Sequence, residues 1–211
     1  MAEAVRHPIF ARLYRRIAET GDRRGGAEHR RRLLASASGR VIEIGAGDGR
    51  NFRHYPPDVT EVIAVEPEAT LRSQAERAAA QATVPVRVVD GVAEQLPVGD
   101  AEFDGGVASL VLCSVEDQAA ALAELLRVIR PGGELWFYEH VVSPNRFEAR
   151  IQRLLDATFY PRVSGNDHLS RDTAAAIERA GFPIESCDRF RFSPVVWLPP
   201  DEHILGVARR P

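Results

Sequence analysis

Short apolar runs alternate with amphipathic stretches through the middle of the chain, and this alternation predicts strands and helices in turn. The apolar runs predict five strands, at Val41–Ile44, Glu61–Val65, Val86–Val89, Phe103–Leu112 and Glu134–His140. The stretches between them predict a helix or turn beginning at Asn51–Tyr55 and helices at Ala69–Gln81 and Asp117–Ile129. Such alternation is typical of a parallel α/β sheet with right-handed crossover connections.

The two ends of the chain depart from this pattern. HPIFARLYRRIAET has apolar residues at helical spacing and predicts an amphipathic helix, and EHRRRLLASAS predicts a second helix before the first strand. After the fifth strand, the pattern predicts helices at Arg146–Phe159 and Asp172–Ala180, then strands at Ile184–Phe192 and His203–Arg209. Two consecutive final strands indicate an antiparallel hairpin at the edge of the parallel sheet. Because no repeat or linker interrupts the chain, we interpret residues 1–211 as one domain.

Composition and charge exclude some classes of protein. Hydrophobic residues make up 45% and charged residues 27%, which is ordinary for a globular domain. The net charge is −3, from 27 basic and 30 acidic residues, so the basic face of a nucleic-acid binder is not expected. Every basic residue is arginine, which excludes Schiff-base chemistry by lysine.

The cysteines indicate whether a metal site or a disulfide is expected, and the N-terminus indicates the cellular compartment. Cys113 and Cys187 form neither a CxxC motif nor a Cys/His cluster, so the sequence predicts no metal site and no disulfide framework. The N-terminus has no apolar core of a signal peptide, and no run of 18 apolar residues occurs. We therefore expect a cytoplasmic protein without a transmembrane segment. The sequence leaves the oligomeric state open, with a monomer slightly favoured.

VIEIGAGDGRN, from Val41, is a strand followed by a glycine loop. Glycines at this position let the backbone approach a ligand closely. A dinucleotide site would have the spacing G-x-G-x-x-G, whereas the glycines here are Gly45, Gly47 and Gly49. Glu43 precedes them, and a carboxylate at that place suits a cationic ammonium ligand better than a pyrophosphate. Glu66 ends the second strand, where a carboxylate would bind a ribose diol.

Two further segments indicate what this loop binds. VDGVAEQLPVGDAEFDGG follows the third strand, and LRVIRPGGELWF precedes the fifth. With the glycine loop, they resemble the class I S-adenosylmethionine-dependent methyltransferases over most of the chain. The resemblance implies a Rossmann-like fold, with seven strands in a mostly parallel sheet, an antiparallel last strand, helices on both faces and an N-terminal helical cap. We assign residues 1–38 to the cap and residues 145–170 to an insertion that forms a lid over the methyl acceptor.

The resemblance also implies a set of cofactor-binding residues. It assigns the loop to the methionine part of S-adenosyl-L-methionine, Glu66 to the ribose hydroxyls and Pro67 to the adenine. Val92 stands where the family often has an aspartate that holds the adenine amine, which leaves that polar contact in doubt. The complete set is Tyr14, Glu43, Gly45, Ala46, Gly47, Gly49, Asn51, Glu66, Pro67, Val92, Ala93, Ser109 and Leu110.

The methyl acceptor is suggested by a narrower resemblance. SLVLCSVED, RPGGELWFYEHV, HLSRDT and WLPPDEHILG resemble the thiol S-methyltransferases, which include the human methyltransferase-like-seven enzymes and bacterial enzymes that act on reduced dithiol antibiotics. This resemblance implies a small-molecule thiol as substrate, with a role in detoxification or self-protection. A thiol with a pKa near ~8.5 is already partly ionised at neutral pH, so such an enzyme needs no strong base.

Several residues are candidates for contact with the acceptor. His140 ends the fifth strand at the carboxyl edge of the sheet, where open α/β sheets bind ligands. His168 lies in the loop before the last helix, and both histidines are candidate catalytic residues. We interpret Cys113 as a packing residue near the cofactor rather than a nucleophile, and His203 and Trp197 as structural residues. The predicted substrate site contains Phe10, Tyr14, Cys113, His140, Phe147, Asp167 and His168.

Other functions remain open from the sequence. A quinone-ring or phospholipid acceptor is compatible with similar motifs, although SVED lacks the histidine pair that many small-molecule methyltransferases carry there. The chain could also bind the cofactor without catalysis. A dinucleotide-dependent oxidoreductase is a third class, which would bind NAD(P)H in place of S-adenosylmethionine.

Overall fold

A single seven-stranded sheet organises the molecule in the computed structural model, which describes residues 17–163, 166–197 and 199–211. The strand order across the sheet is β3-β2-β1-β4-β5-β7-β6. The strands are β1 Gly39–Ile44, β2 Val59–Val65, β3 Val86–Val89, β4 Phe103–Ser109, β5 Ile129–His140, β6 Ile184–Phe192 and β7 Asp201–Arg209. Strand β7 is antiparallel to both of its neighbours, and the other strands run parallel, which confirms the predicted fold class.

Helices connect the strands. Those described are α1 Ala27–Leu33, α2 Ala69–Ala79, α3 Gln118–Val128, α4 Arg146–Ala157, α5 Tyr160–Val163 and α6 Thr173–Arg179, and a short 3₁₀ turn covers Phe52–His54. Residues 17–21 are also helical and lead into a kinked segment, Asp22–Gly26, before α1. Most of the first predicted helix, with Phe10 and Tyr14, lies outside the described residues.

Carboxylate side chains cap the N-termini of α2 and α3. Glu68 accepts a hydrogen bond from the Leu71 amide at the start of α2, and Asp117 accepts from the amides of Ala119 and Ala120 at the start of α3. Each cap satisfies amides that have no partner within the helix.

The core lies on both faces of the sheet, because successive side chains of a strand point to opposite sides. Ile42 and Ile44 of β1 belong to one buried cluster, whereas Val41 belongs to the cluster on the other face. The central strands are therefore apolar on both faces, as parallel strands covered by helices usually are.

Two strand boundaries differ from the prediction by three residues or more, and the local geometry explains each. Strand β4 ends at Ser109 rather than Leu112, because Leu110 adopts the left-handed conformation with φ of 56°. Strand β5 begins at Ile129 rather than Glu134, because its pairing with β4 continues across an irregular register around Gly132. The short helix α5 was not predicted.

Within the described residues, none of the helices combines the length and apolar character that crossing a membrane requires.

Candidate functional site

The glycine loop after β1 takes a conformation that other residues rarely adopt. Gly45, Gly47 and Gly49 have φ values of 60°, 58° and 81°. A Cβ atom at Gly45 would lie 2.2 Å from Cγ2 of Val111, and one at Gly49 would lie 2.7 Å from the Phe52 ring. The loop therefore passes close to the segment after β4, and a side chain at Gly45 or Gly49 would clash with its neighbours and prevent this loop conformation.

Glu66 lies beside this loop at the end of β2. Its carboxylate accepts hydrogen bonds from the Gly47 amide at 2.8 Å and from the Glu68 amide at 2.9 Å. The side chain is buried, and burial raises its pKa despite these two hydrogen bonds. Each carboxylate oxygen keeps a second lone pair, so the fixed carboxylate is suited to accept hydrogen bonds from a diol.

Glu43 is buried beneath the same loop rather than exposed at a sheet edge. It accepts hydrogen bonds from the Tyr55 hydroxyl at 2.7 Å and from Nδ2 of Asn51 at 2.9 Å. Burial raises the pKa of Glu43 to about 7, while the two hydrogen bonds oppose that rise. This carboxylate is therefore held by the chain itself, in an orientation that Tyr55 and Asn51 determine.

Arg30 of α1 brings a positive charge to this network, and sequence reasoning missed it. The buried guanidinium donates from Nη1 to Oδ1 of Asn51 and to Oγ of Ser109, each at 3.0 Å. It thereby connects the loop after β1 to the end of β4. Arg30 is one of three consecutive arginines, and nothing in that run distinguishes it from the exposed Arg31 and Arg32.

These features fit the cofactor that the sequence resemblance implies. The glycine cradle, the diol-suited carboxylate of Glu66 and the hydrogen-bonded network of Arg30, Asn51 and Glu43 lie at the carboxyl ends of β1, β2 and β4, where ligands bind in such sheets. Ala93 is buried beyond them, whereas Val92 is 42% exposed and offers no polar side chain. Ala46 and Pro67 occupy the loops after β1 and β2.

The segment after β4 is fixed by one buried carboxylate. Glu139 of β5 accepts hydrogen bonds from the amides of Val111, Leu112 and Cys113, at 3.0 to 3.2 Å. Burial raises the pKa of Glu139 to about 7, against the effect of these amides. Glu139 was not among the predicted site residues, although its position beside His140 at a strand end predicts two polar side chains on opposite faces of the sheet.

His140, Asp167 and Cys113 converge at the end of β5. Nδ1 of His140 lies 3.4 Å from Oδ1 of Asp167, and one ligand-type atom from each of the three residues lies within 4.8 Å of the others. Nε2 of His140 is buried and has no hydrogen-bond partner among the described residues. Burial would lower the pKa of His140, but the hydrogen bond and charge of Asp167 raise it on balance.

The same environment keeps Cys113 protonated. Burial, followed by the nearby carboxylates of Asp167 and Glu139, raises the pKa of its thiol well above the ordinary value. Because a neutral thiol is a poor nucleophile, this supports the interpretation of Cys113 as a packing residue. A Cys, His and Asp set can also hold a metal ion, so the absence of a metal site stays a prediction.

His168 follows Asp167, and the main chain holds both in place. The His168 amide donates to the Cys113 carbonyl oxygen at 3.0 Å. Asp156 of α4 accepts from the amides of Leu169 and Ser170, both at 2.8 Å. The imidazole of His168 is half-buried, so the structure brings it near the cluster without burying it.

The remaining predicted residues lie apart from this cluster. Phe147 is 71% exposed on α4, and its place in the substrate site stays a prediction. Trp197 was expected to be structural, but this is wrong, because its side chain is 78% exposed in the turn between β6 and β7. His203 is buried, and burial lowers its pKa to about 4, which agrees with a structural role.

Known proteins resemble this chain in sequence and fold. A family model described as a methyltransferase domain matches residues 42–137. Thiol S-methyltransferase TMT1B of Rattus norvegicus is 35% identical over 175 residues, which cover 80% of this chain and 69% of that protein. Thiol S-methyltransferase TMT1A of Homo sapiens is 33% identical over 184 residues, covering 83% of this chain and 73% of that protein.

A solved structure gives the same fold. It is a SAM-dependent methyltransferase from Thermotoga maritima, described as a possible histamine N-methyltransferase, with a TM-score of 0.71 and 22% identity. The match covers 96% of this chain and 98% of that chain. At this identity the likeness concerns the fold alone.

Proposed function

Since the chain belongs to the thiol S-methyltransferase family, we propose that it transfers a methyl group from S-adenosyl-L-methionine to the sulfur of a small-molecule thiol. The chain is a methyltransferase and S-adenosyl-L-methionine is its cofactor. The observation that carries the acceptor chemistry is the buried His140, with Asp167 at Nδ1 and no hydrogen-bond partner at Nε2 among the residues that the structure describes.

The geometry at the carboxyl ends of β1, β2 and β4 supports a proposal for the cofactor-binding residues. Glu66 would hold the ribose hydroxyls, and the glycine loop would receive the methionine part. Arg30 is suited to the methionine carboxylate and Glu43 to the charge balance around the ammonium group, since both are buried beside the loop. The cofactor supplies an electrophilic methyl group on a sulfonium sulfur.

His140 is proposed as the residue that accepts the thiol proton. When Nδ1–H donates to Asp167, Nε2 carries the lone pair that a thiol proton needs. The carboxylate of Asp167 stabilises the imidazolium that forms, which is the same effect that raises the pKa of His140. A thiol with a pKa near ~8.5 is close enough to that of an imidazole for proton transfer to be easy.

Burial around the histidine is the second contribution of the chain. Cys113, which is buried beside His140, excludes water from one side of the imidazole. Ser109 ends β4, and Leu110 follows it. Orientation and exclusion of water are the main tasks of a protein in such a displacement. We propose that residues 1–38 act as a cap and residues 145–170 as an acceptor lid over this region.

The proposal is tested by product mass spectrometry with a mixed acceptor panel. The protein is incubated with S-adenosyl-L-methionine and a thiol, an amine, a phenol, a quinol and a phospholipid, with and without a chelator. We expect S-methyl products only, in equal amounts in both conditions. A methylated quinol, amine or phospholipid without an S-methyl product would contradict the thiol acceptor, and no product at all would favour a non-catalytic cofactor-binding protein.

Several broader properties complete the proposal. We propose that the protein does not bind nucleic acid, because its net charge is −3. Since its two cysteines form no pair, we place it in the cytoplasm, and we also propose that it is a monomer. The biological role would be detoxification or self-protection against a reactive thiol or reduced dithiol metabolite.

A further inference from the structure

Helix α4 presents an apolar stripe to solvent. Phe147, Ile151 and Leu154 are spaced by four and three residues, which places them on one side of the helix. Their side chains are 71%, 44% and 64% exposed, whereas Ala149 and Gln152 are buried and make the contact with the rest of the protein. The apolar side of this helix is thus not the side that faces the core.

A basic stripe runs alongside it. Arg146, Arg150 and Arg153 repeat the same spacing one residue earlier, which rotates them by about 100° around the helix. All three are exposed. The helix therefore combines an apolar stripe, an adjacent arginine stripe and a third side that faces the core.

The turn between β6 and β7 extends this surface. Val196 and Trp197 are 76% and 78% exposed there. Arg191 links the turn to α4, because its guanidinium donates to the Pro200 carbonyl oxygen at 2.9 Å and lies 3.8 Å from the carboxylate of Glu148. Arg191 thereby connects α4 to the turn that carries Val196 and Trp197.

We propose that this surface binds an anionic lipid bilayer peripherally. Apolar side chains beside arginines are the pattern of helices that lie in the plane of a membrane interface, and tryptophan is enriched at that depth. The three arginines complement anionic headgroups, whereas the chain as a whole carries an excess of acid, with a net charge of −3. A second copy of the chain would bring like-charged arginine stripes together, which disfavours self-association.

The proposed surface adjoins the acceptor loop. Asp156, near the end of α4, holds the amides of Leu169 and Ser170, which follow Asp167 and His168 directly. A bilayer bound at α4 would therefore lie next to the residues proposed to receive the acceptor. Membrane binding itself does not depend on which acceptor the enzyme uses.

The test is co-sedimentation with vesicles at low ionic strength. The full chain is mixed with vesicles of phosphatidylcholine alone or of phosphatidylcholine with one third phosphatidylglycerol. We expect the protein to pellet with the anionic vesicles and to remain in solution with the neutral ones. Raising the salt concentration should release it, since exposed charges are screened.

Three double variants separate the contributions. Phe147→Gln with Leu154→Gln, and Arg150→Gln with Arg153→Gln, should each lower partitioning to anionic vesicles by about tenfold or more. The control, Arg77→Gln with Arg87→Gln, removes the same charge from exposed positions outside the surface and should bind as the wild type does. Circular dichroism confirms that each variant is folded.

Any of three results would overturn the proposal. The first is that the wild-type protein does not pellet with anionic vesicles, and the second is that the wild type and every variant pellet to the same extent. The third is a concentration-dependent dimer, seen by light scattering without vesicles, that the Phe147 and Leu154 substitutions abolish. That result would assign the surface to a second copy of the chain.

Discussion

Glu66 is the single residue on which cofactor binding is expected to depend most. Glu66→Ala removes both the carboxylate suited to the ribose and the acceptor that fixes the Gly47 amide. Loss of hydrogen bonds to a charged group costs about 1.5–3 kcal/mol, so the affinity for S-adenosyl-L-methionine should fall by about tenfold to a hundredfold. Isothermal titration calorimetry measures this. Glu76→Ala, on the exposed side of α2, should bind normally, and unchanged affinity in a folded Glu66→Ala protein would reject the assignment.

Proton transfer should depend on His140 in a manner that changes with pH. His140→Gln should lower kcat/KM for a thiol by about a hundredfold near neutral pH, because a general base typically contributes at least that factor. The loss should shrink above the thiol pKa of about 8.5, where the substrate ionises unaided. A pH profile of kcat/KM tests this. A loss of equal size at every pH would instead indicate a structural role.

Asp167 should make the stability of the protein depend on pH. The pKa of His140 is raised above its ordinary 6.5, so the folded state binds the proton more tightly than the unfolded state. The stabilisation is complete below pH 6.5 and is lost as the pH rises through the raised value. Asp167→Asn should remove this dependence. Urea unfolding between pH 6 and 9 measures it, with the exposed Asp58→Asn as control; identical slopes for Asp167→Asn and wild type would contradict it.

At the scale of single residues, the sequence predicts the site residues that lie within one motif. It does not predict side-chain contacts between segments that are far apart in the chain. Glu43, Glu66 and the glycines stand within one strand–loop–strand unit, and their positions follow from the sequence alone. Arg30 reaches Ser109 across 79 positions, a contact that exists only after α1 packs on the sheet. No local signal marks such a residue.

At the scale of elements, α4 holds the acceptor loop through one carboxylate. Asp156→Ala leaves the amides of Leu169 and Ser170 without their acceptor, which should loosen the loop that carries Asp167 and His168. We expect the KM for a thiol to rise by about tenfold, since a lost hydrogen bond of about 1–1.5 kcal/mol corresponds to that factor. The affinity for the cofactor should not change.

Steady-state kinetics and cofactor titration together check this expectation. Glu178→Ala, an exposed substitution in α6, serves as the control. An unaltered KM, or equal losses of thiol and cofactor affinity, would show that Asp156 does not act through the loop.

Most elements agree with the periodicity of the sequence, and the exceptions have local causes. The apolar run from Phe103 predicts a strand to Leu112, but apolar character cannot reveal that Leu110 turns to a positive φ. The turn is stabilised by Glu139, a residue 27 positions further along that accepts from Leu112. A boundary set by such a partner is a property of the tertiary structure.

For the whole molecule, cofactor binding should appear as a rise in thermal stability. A ligand at a hundred times its Kd stabilises the folded state by about 2.7 kcal/mol, which corresponds to roughly 5–10 °C in Tm for a chain of this size. Differential scanning fluorimetry should show this rise with S-adenosyl-L-methionine and none with NADH. A rise with NADH alone would favour the dinucleotide-dependent oxidoreductase.

The fold class was predictable because the glycine loop, two later motifs and a final pair of strands all agree with one fold. The resemblance implied an antiparallel last strand, but the placement of β7 between β5 and β6 was not predicted, since apolar alternation does not say which strands pair. Surface properties such as the exposed stripe on α4 were the least predictable. The sequence pattern marks that helix as amphipathic, but not which side meets the core.

The contrast between the two tryptophans has a consequence for optical experiments. Trp136 is 2% exposed and donates from Nε1 to Ser36, whereas Trp197 is 78% exposed. Emission from Trp136 should therefore be blue-shifted and protected from iodide, and emission from Trp197 red-shifted and quenchable. These are the only 2 tryptophans in the chain. In the unlabelled protein, fluorescence of Trp136 would therefore report unfolding, and fluorescence of Trp197 would report contact of the β6–β7 turn with a lipid bilayer.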